Sequence, residues 1–459
     1  MATNTNLSLI NYTPYTWTRI GPGPPATYGV PEWDFPATLA SGQSYDAKIM
    51  IDESPGTQPT SAQAQWPFSW IDQTHPISNL KIHVTGNSND GYSESIQASL
   101  DAYGTQNNAK GSTIDIPLRY EAWSPFILTG DQNSLVGNNP PANWMSQNLD
   151  YIGCLTLQDI ILPGSHDAGM STIKYAAGGI SDNTQTQSLD IYDQLKAGIR
   201  YFDIRPTISH GAYYTGHYSG HLGANGQSMQ AVIDDLNQFT GENGGNNELI
   251  ILELSHTTDT DSKYQAFDDA QYNNLLLQIW NHTNHLYTRH PIDVLTTIPL
   301  SEFIKDGPAV VLVTDERNKT WLHDHHFQGR GFYDSDQVPI YNSYSDTTDL
   351  DDMRKDQYNK LVQQSQSPDR GGLQLFLLSW TITQSIIDVI GLGSSIKDLA
   401  AVFNGHLAQI GSNVPYTGPV SWAEKGYRPN IVMIDYVDTD RFLTAICVGI
   451  TRFYNKKCS

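Results

Sequence analysis

Six short, almost wholly apolar runs in the C-terminal two thirds of the chain constrain the fold more than any other feature. Strands of a parallel sheet are buried on both faces, so they are apolar at nearly every position. Segments with helical spacing lie between several runs, such as DIYDQLKAG (190–198) and SMQAVIDDLNQFT (228–240). The runs are LQDIILPG, GIRYFDIR, ELIILELS, PAVVLVTD, LQLFLLSW and PNIVMIDY. This alternation predicts an α/β fold, a TIM-like (β/α)8 barrel or a distorted form of it.

The N-terminal part of the chain has a different pattern. Stretches such as SYDAKIMIDES and STIDIPLRYEAW alternate apolar with polar residues and are separated by turns rich in Gly, Pro, Asn and Ser. This pattern is typical of a small antiparallel β-sandwich. The change falls within the polar stretch LTGDQNSLVGNNPPANWMSQ (128–147). We therefore predict an accessory domain over 1–148 and a barrel domain over 149–459.

Charge excludes some classes of partner. The chain has 26 Lys and Arg against 48 Asp and Glu, a formal net charge of −22. Nucleic acid is excluded as a partner because contacts to phosphates need a basic face. Long-range attraction to an anionic membrane is disfavoured for the same reason.

The compartment is predicted from what the sequence lacks. No apolar run approaches the roughly 20 residues of a membrane helix, and MATNTNLSLINYTPYTW has neither the charged nor the apolar region of a signal peptide. The three cysteines, Cys154, Cys447 and Cys458, are odd in number and far apart, so unpaired thiols are expected. We predict a soluble protein, cytoplasmic or secreted by another route, with a reducing compartment favoured.

Polar residues follow the predicted barrel strands, where the loops of such a barrel form its active site. Asp203 and Arg205 are two residues apart, so both face the same side of an extended strand. The full set is His166, Asp167, Asp203, Arg205, His217, His221, Glu253, Ser255, His256, Asp315, Asp435 and Asp438.

This set suits one type of chemistry. A histidine of near-neutral pKa removes a proton from a hydroxyl, and a second donates one to a leaving oxygen. An arginine fork holds a phosphate between them, and carboxylates fix the tautomer and orientation of each ring. The set therefore favours internal transesterification of a phosphodiester, in which a neighbouring hydroxyl attacks phosphorus.

At this point the residues resemble a known family. LPGSHDAGMST (162–172), QLKAGIRYFDIRP (194–206), YTGHYSG (214–220) and IVMIDYV (431–437) are similar to segments of the X-domain of phosphatidylinositol-specific phospholipase C. The likeness is to the bacterial-type, metal-independent branch, and it covers roughly residues 155–437. It implies a phosphorus–oxygen lyase without a cofactor or a metal, which releases diacylglycerol and an inositol cyclic phosphate.

The resemblance also implies roles for individual residues. His166 corresponds to the general base that takes the proton of the inositol 2-hydroxyl, and Asp435 to the carboxylate that orients it. His217 corresponds to the general acid that protonates the diacylglycerol oxygen, and Asp167 to its supporting carboxylate.

Arg205 corresponds to the arginine that stands where the calcium-dependent branch keeps its metal, with Asp203 completing the site. After the next strand, bacterial relatives share a lysine that helps to hold the head group. This chain has LELSHTTD there, with Ser255 and no lysine. We place Ser255 and Glu253 among the expected substrate-binding residues.

The sequence leaves alternatives open for the general acid and for the function. His221 lies close to His217 in sequence and is an alternative general acid; we otherwise expect it to contact substrate. The expected partners are a phospholipid or another inositol phosphodiester and, transiently, a membrane surface. The alternative functions are a metal-dependent phosphodiesterase of the glycerophosphodiester or sphingomyelinase D type, and a non-catalytic lipid- or glycan-binding protein.

Overall fold

The chain forms two compact units in a computed structural model. The first unit comprises Met1–Pro141, Gly405–Tyr427 and Val448–Lys456, and the second comprises Ala142–Asn404, Arg428–Cys447 and Lys457–Ser459. The predicted domain limits of 1–148 and 149–459 stay a prediction. The structure describes residues 2–19, 32–52, 63–69, 76–85, 93–101, 103–117, 122–242, 246–366, 372–381, 383, 394–411, 416–438 and 442–458.

The first unit is built from two β-sheets. Its strands are β1 (Ala2–Tyr12), β2 (Trp17–Arg19), β3 (Glu32–Trp33), β4 (Thr38–Leu39), β5 (Ser44–Asp52), β6 (Gln63–Ser69), β7 (Pro76–Thr85), β8 (Ser93–Ser99), β9 (Thr113–Pro117) and β10 (Trp123–Thr129). One sheet has the order β10-β1-β5-β3 and the other β4-β2-β6-β7-β8-β9. The indole of Trp17 and the ring of Phe126, one from each sheet, lie 5.9 Å apart.

The predicted sandwich is therefore confirmed with one correction. Strands β1 and β10 run parallel, from Asn6 beside Trp123 to Tyr12 beside Thr129. A parallel pair needs a long connection between its strands, and here β2 to β9 supply it. Alternation of apolar and polar residues sets which face of a strand is buried but carries no information on the direction of its neighbour.

The second unit contains the remaining strands. They are β11 (Leu162–Ser165), β12 (Lys174–Ala177), β13 (Tyr201–Ile204), β14 (Pro206–Ser209), β15 (Ala212–Ser219), β16 (Leu222–Ser228), β17 (Leu249–Leu254), β18 (Thr258–Asp259), β19 (Ala309–Thr314), β20 (Phe332–Asp334), β21 (Ile340–Asn342), β22 (Leu375–Trp380) and β23 (Ile431–Ile434). They form two sheets, one parallel throughout and one mainly antiparallel.

The parallel sheet is a distorted TIM barrel. Its order is β20-β19-β17-β13-β11-β23-β22-β21, so the strands follow one another around the sheet in chain order. Every neighbouring pair is parallel. Within the described residues β20 and β21 do not pair, and the barrel is open there. Each of the six apolar runs overlaps one strand, and all residues of β17, β19 and β22 are buried, as parallel strands require.

The described helices lie between barrel strands, before β11 or after β23. They are α1 (Trp144–Gln147), α2 (Leu149–Ile152), α3 (Ser181–Thr184), α4 (Ile191–Lys196), α5 (Met229–Gly241), α6 (Asp269–His282), α7 (Leu300–Ile304), α8 (Lys319–Asp324), α9 (Leu350–Gln366), α10 (Ile396–Asn404), α11 (Pro419–Glu424) and α12 (Phe442–Tyr454). The predicted helices at 190–198 and 228–240 are confirmed as α4 and α5. Both begin after a capping side chain, since Asp190 accepts from Asp193 N and Ser228 from Ala231 N. None of the described helices combines the length and apolar character needed to cross a membrane.

The second sheet of this unit has the order β12-β16-β15-β14-β18 and leaves the barrel directly after β13. Only Arg205 separates β13 from β14. The backbone N–H of Gly216 in β15 donates to the carbonyl of Arg205 (2.9 Å). We call this the accessory sheet; it brings a hairpin of β15 and β16 next to the end of β13.

A buried ion pair lies at the opposite ends of the strands. Arg200 precedes β13 and Glu248 precedes β17, and both are fully buried. The guanidinium donates twice to Glu248 (2.8 and 3.0 Å) and also to the carbonyls of Leu195 and Ile199. Because Arg200 and Glu248 lie at the N-terminal ends of their strands, away from the ends that form the site, we assign this pair a structural role.

The expectation of unpaired cysteines is wrong for two of the three. Cys154, which follows α2, and Cys458, which follows α12, form a disulfide across 304 residues of sequence. Cys447 is buried and unpaired. Sequence separation misled the prediction, because the fold brings the residue after α2 and the end of the chain's described part together in space.

The disulfide leads to a test by thiol counting. In the unfolded but unreduced chain, titration should find one thiol, that of Cys447, and three thiols would contradict the bond. Replacing Cys154 and Cys458 by alanine should lower the free energy of unfolding by about 2–5 kcal/mol, because the bond closes a very long loop. Denaturant unfolding with and without reductant measures this, and the double variant should no longer respond to reductant.

Candidate active site

The centre of the site is a histidine–aspartate pair at the ends of two neighbouring strands. His166 directly follows β11, and Asp435 directly follows β23. The register aligns Ser165 with Ile434, and the His166 N–H donates to the Ile434 carbonyl (3.1 Å). The two side chains therefore emerge side by side, with His166 Nδ1 2.7 Å from Asp435 Oδ1.

The contacts of His166 define its tautomer. Arg205 Nη2 lies 2.7 Å from His166 Nε2. A guanidinium can only donate, so Nε2 accepts and the ring proton is on Nδ1, where it is donated to Asp435. His166 thus has a lone pair on the nitrogen that faces Arg205, which is the form a general base requires.

Opposing effects act on the pKa of His166. Burial, the largest single effect, lowers it, and so does Arg205. The charge and hydrogen bond of Asp435, together with Asp203, raise it, and the net pKa is above the usual value. Asp435 therefore makes His166 a stronger base than burial alone would allow.

Asp203 holds the arginine in place. Its carboxylate accepts from Arg205 Nε (3.1 Å) and Nη2 (2.9 Å), from the Asp167 N–H (3.1 Å) and from Ser255 Oγ (3.2 Å). Burial by itself would raise its pKa, but Arg205 and His166 outweigh burial and lower it to about 2. Asp203 is thus ionised at neutral pH and orients the guanidinium.

A second histidine–aspartate pair has a different geometry. His217 lies within β15 of the accessory sheet, not at the end of a barrel strand as the sequence suggested. Its Nδ1 is 3.4 Å from Oδ2 of the fully buried Asp167, and neither atom has a closer hydrogen-bond partner among the described residues. Catalytic hydrogen bonds are often long before substrate binds, and these orphan atoms are candidates for such a contact.

Burial dominates the protonation of this pair. It raises the pKa of Asp167 to about 7. Burial and the positive charge of Arg205 lower the pKa of His217 to about 3. At neutral pH the His217 side chain is therefore uncharged, and Asp167 is only partly ionised.

Three side chains of this site are partly exposed to solvent. The exposed fractions are 17% for the His166 side chain, 20% for Arg205 and 26% for His217. The carboxylates behind them are almost fully covered. A ligand entering the site would thus meet one cation between two imidazoles.

The predicted substrate-binding residues lie in different places. Ser255 donates to Asp203, which makes it part of the support of Arg205. Glu253 contacts the hydroxyl of Tyr201 within the barrel, and burial raises its pKa to about 7. His221 is exposed at the turn between β15 and β16 and packs against the ring of Tyr264 at 4.9 Å. The geometry brings His217, rather than His221, to Asp167.

Tyr201 was not among the residues predicted from the sequence. Its hydroxyl donates to Glu253, and the whole residue is buried. The signal was present, because Tyr201 stands two residues before Asp203 and shares its face of β13. Among the described residues, no group of three or more His, Cys, Asp or Glu side chains is arranged to hold a metal ion. Independence of metals stays a prediction.

Comparison with known proteins gives related sequences. The chain is 32% identical over 147 residues to the 1-phosphatidylinositol phosphodiesterase of Staphylococcus aureus (strain Newman), which covers 29% of this chain and 42% of that protein. It is 26% identical over 301 residues to the Listeria monocytogenes protein of the same name, covering 63% and 83%. A human PI-PLC X domain-containing protein 2 is 26% identical over 158 residues, covering 30% and 48%.

The match to the first of these relatives spans less than half of its length. No family model matches the chain. The solved phosphatidylinositol-specific phospholipase C of Listeria monocytogenes is similar with a TM-score of 0.45 at 19% identity, over 67% of this chain and 98% of that one. In sequence, the chain is therefore similar to proteins of the phosphatidylinositol-specific phospholipase C X-domain family.

Proposed function

We propose that this protein cleaves phosphatidylinositol-type phosphodiesters by intramolecular transesterification and releases diacylglycerol and an inositol cyclic phosphate. The observation that carries the proposal is the continuous set of contacts from Asp435 through His166 and Arg205 to Asp203. In support of the proposal, the Nε2 lone pair of His166 faces a guanidinium, the side chain best suited to hold a phosphate. The names of the staphylococcal and listerial relatives support the same chemistry.

In the first half of the reaction, His166 is the general base. A phosphate anion would draw Arg205 away from His166 Nε2, because a charged bidentate contact is stronger than one to a neutral ring. The freed Nε2 then takes the proton of the inositol 2-hydroxyl as its oxygen bonds to phosphorus. Asp435 stabilises the imidazolium that forms.

In the second half, His217 is the general acid. The bond between phosphorus and the glycerol oxygen breaks, and His217 gives its proton to that oxygen. Burial and the positive charge of Arg205 lower the pKa of His217. A bound phosphodiester adds a negative charge and raises the pKa of His217, so the acid becomes charged where it is needed.

Two observations bear on the compartment of the protein and on its contact with a membrane surface. The bond between Cys154 and Cys458 favours an oxidising compartment over the reducing one expected from sequence. A chain of net charge −22 meets repulsion at an anionic lipid surface, so contact with a membrane would be transient.

The direct test is phosphorus NMR of phosphatidylinositol in neutral detergent micelles, incubated with the protein in excess EDTA. We expect the resonance of a five-membered cyclic phosphate to appear while the lipid resonance falls. The neutral micelle dilutes the lipid charge and so limits repulsion of the acidic chain.

The other outcomes point to the other functions. Product only after addition of calcium or magnesium would contradict metal independence and favour a metal-dependent phosphodiesterase. Absence of product from phosphatidylinositol with or without metal would contradict the proposal. Binding of the same micelles without turnover would then favour the binding protein.

A further inference from the structure

The two strand ends that carry the His166–Asp435 pair share an unusual backbone. Asp167, directly after His166, has φ 40°, and Tyr436, directly after Asp435, has φ 49°. Left-handed φ is uncommon for residues other than glycine and persists only where surrounding contacts impose it. These two turns therefore need support from elsewhere in the fold.

One segment supports both turns. Gln185, Thr186 and Gln187, which we call the QTQ segment, lie between α3 and α4. At the turn after β23, the Tyr436 N–H donates to the Thr186 carbonyl (2.7 Å), and the Tyr436 hydroxyl donates to the Gln185 carbonyl (2.8 Å). The Val437 N–H donates to Gln187 Oε1 (3.0 Å).

The same segment reaches the turn after β11. Thr186 Oγ1 donates to the Asp167 carbonyl (2.8 Å). Gln187 Nε2 donates to the His166 carbonyl (2.9 Å) and to the Ile434 carbonyl (3.2 Å). The amide of Gln187 thus joins the backbones of both strand ends.

Burial shows that these contacts are part of the interior. Gln187 is 0% exposed and Thr186 is 1% exposed. A buried amide is favourable only where its donors and its acceptor are used, and Gln187 uses both hydrogens of Nε2 and Oε1. An apolar side chain of the same size could fill the volume but could not connect the two strand ends.

We propose that the QTQ segment is a positioning element, in which Gln187 sets the geometry of the His166–Asp435 pair and Thr186 that of the Asp167 turn. The inference about rates rests on the proposed function, whereas the inference about geometry does not. The side-chain hydrogen bonds of the segment go to backbone groups, so none of its residues is assigned a catalytic role.

The test is Gln187→Met, which keeps the volume and removes three hydrogen bonds. The charged groups and the second imidazole that act on the His166 ring are Asp435, Asp203, Asp167, Arg205 and His217. Asp435 raises the pKa of His166, so a looser pair should lower that pKa by about 0.5–1, as followed by NMR titration of the imidazole nitrogens. We expect kcat for phosphatidylinositol to fall about 10- to 100-fold with KM within about twofold.

Gln357→Met is the matched control. Gln357 is also 0% exposed, donates twice, to the Ser343 carbonyl and Ser345 Oγ, and accepts from the Ser379 N–H. Its replacement removes the same number of hydrogen bonds but none to the backbone of His166 or Asp435. We expect the His166 titration of this variant to match the wild type at similar loss of stability.

Thr186→Val tests the contact of Thr186 with the Asp167 turn separately from the contacts of Gln187. It removes only the hydrogen bond to Asp167, so the His166 titration should stay near the wild type, and Thr186→Ser should restore whatever activity is lost. An unchanged His166 pKa in Gln187→Met, or an equal change in Gln357→Met, would overturn the positioning role. If the wild type fails to cleave phosphatidylinositol, the proposed function fails, but the titration still decides the geometry.

Discussion

Replacement of His166 by alanine should lower the rate of phosphatidylinositol cleavage by about 10²- to 10⁴-fold, the range that a general base contributes. The loss should appear mainly in kcat, because proton removal is needed in the transition state and Arg205 remains to hold the phosphate. The measurement is the appearance of cyclic phosphate by phosphorus NMR, with the fold checked by circular dichroism.

The second histidine gives this prediction its control. His217→Ala should cause a loss of similar size, and the double variant should be little worse than either single one, because the two rings act in one coupled reaction. His323→Ala, at a side chain 71% exposed on α8, should be neutral. Losses that multiply in the double variant, or a fully active His217→Ala, would contradict the paired roles and return His221 to consideration.

Arg205→Lys should lower kcat/KM by about 10²- to 10³-fold although the charge is kept. The guanidinium donates to Asp203 through Nε and Nη2 while it also reaches His166. A lysine ammonium is a point donor without this fork and cannot hold a phosphate in two places. Steady-state kinetics on phosphatidylinositol micelles measures the loss, and wild-type kinetics in this variant would contradict bidentate binding.

Two further variants serve as comparisons for Arg205→Lys. One makes the same exchange at another arginine, and the other removes the charge of Arg205. Arg289→Lys, at a partly exposed pair with Asp306, should leave activity unchanged and lower the free energy of unfolding by about 1 kcal/mol at most. Arg205→Ala should destabilise the fold by about 3–5 kcal/mol, because Asp203 would keep a buried charge without its partner. The pKa of Asp203 is about 2 when Arg205 is present, so the stability from this pair exists above pH ~4 and is lost as pH falls towards 2.

The relation of the two sheets explains how one site uses residues from distant parts of the chain. The barrel supplies His166, Asp203 and Asp435 from the C-terminal ends of three strands. The accessory sheet supplies His217, and the hydrogen bond from Gly216 to Arg205 ties that sheet to the barrel beside the site. The proposed base therefore lies on a barrel strand and the proposed acid on a hairpin.

Much of the fold was predictable because a strand that is buried on both faces is apolar at nearly every position. Strands β17, β19 and β22 coincide with apolar runs, and α4 and α5 coincide with helical spacing behind a capping residue. Strands β20 and β21 were harder to see. Each has three residues, and the parallel register of one edge neighbour, rather than an apolar run, defines them.

The candidate site likewise contains residues that could be predicted from the sequence and features that could not. His166, Asp203 and Asp435 could be predicted because each is at or next to the end of an apolar strand, where barrel chemistry is found. Three features could not be predicted: the place of His217 within an antiparallel strand, the contact of Glu253 with Tyr201, and the bond between Cys154 and Cys458. Each depends on which distant segments meet, and short-range patterns carry no record of that.

By itself the sequence determined the buried strands, the change from sandwich to barrel, and the residue types that stand at the strand ends. These follow from local physics, since apolar periodicity, capping and turn residues act over a few positions. Only the tertiary structure decided which side chains became partners. The register between β11 and β23 set His166 against Asp435, and the path of the accessory sheet set His217 against Asp167. Pairing of this kind depends on distances across the fold, which the order of residues along the chain does not contain.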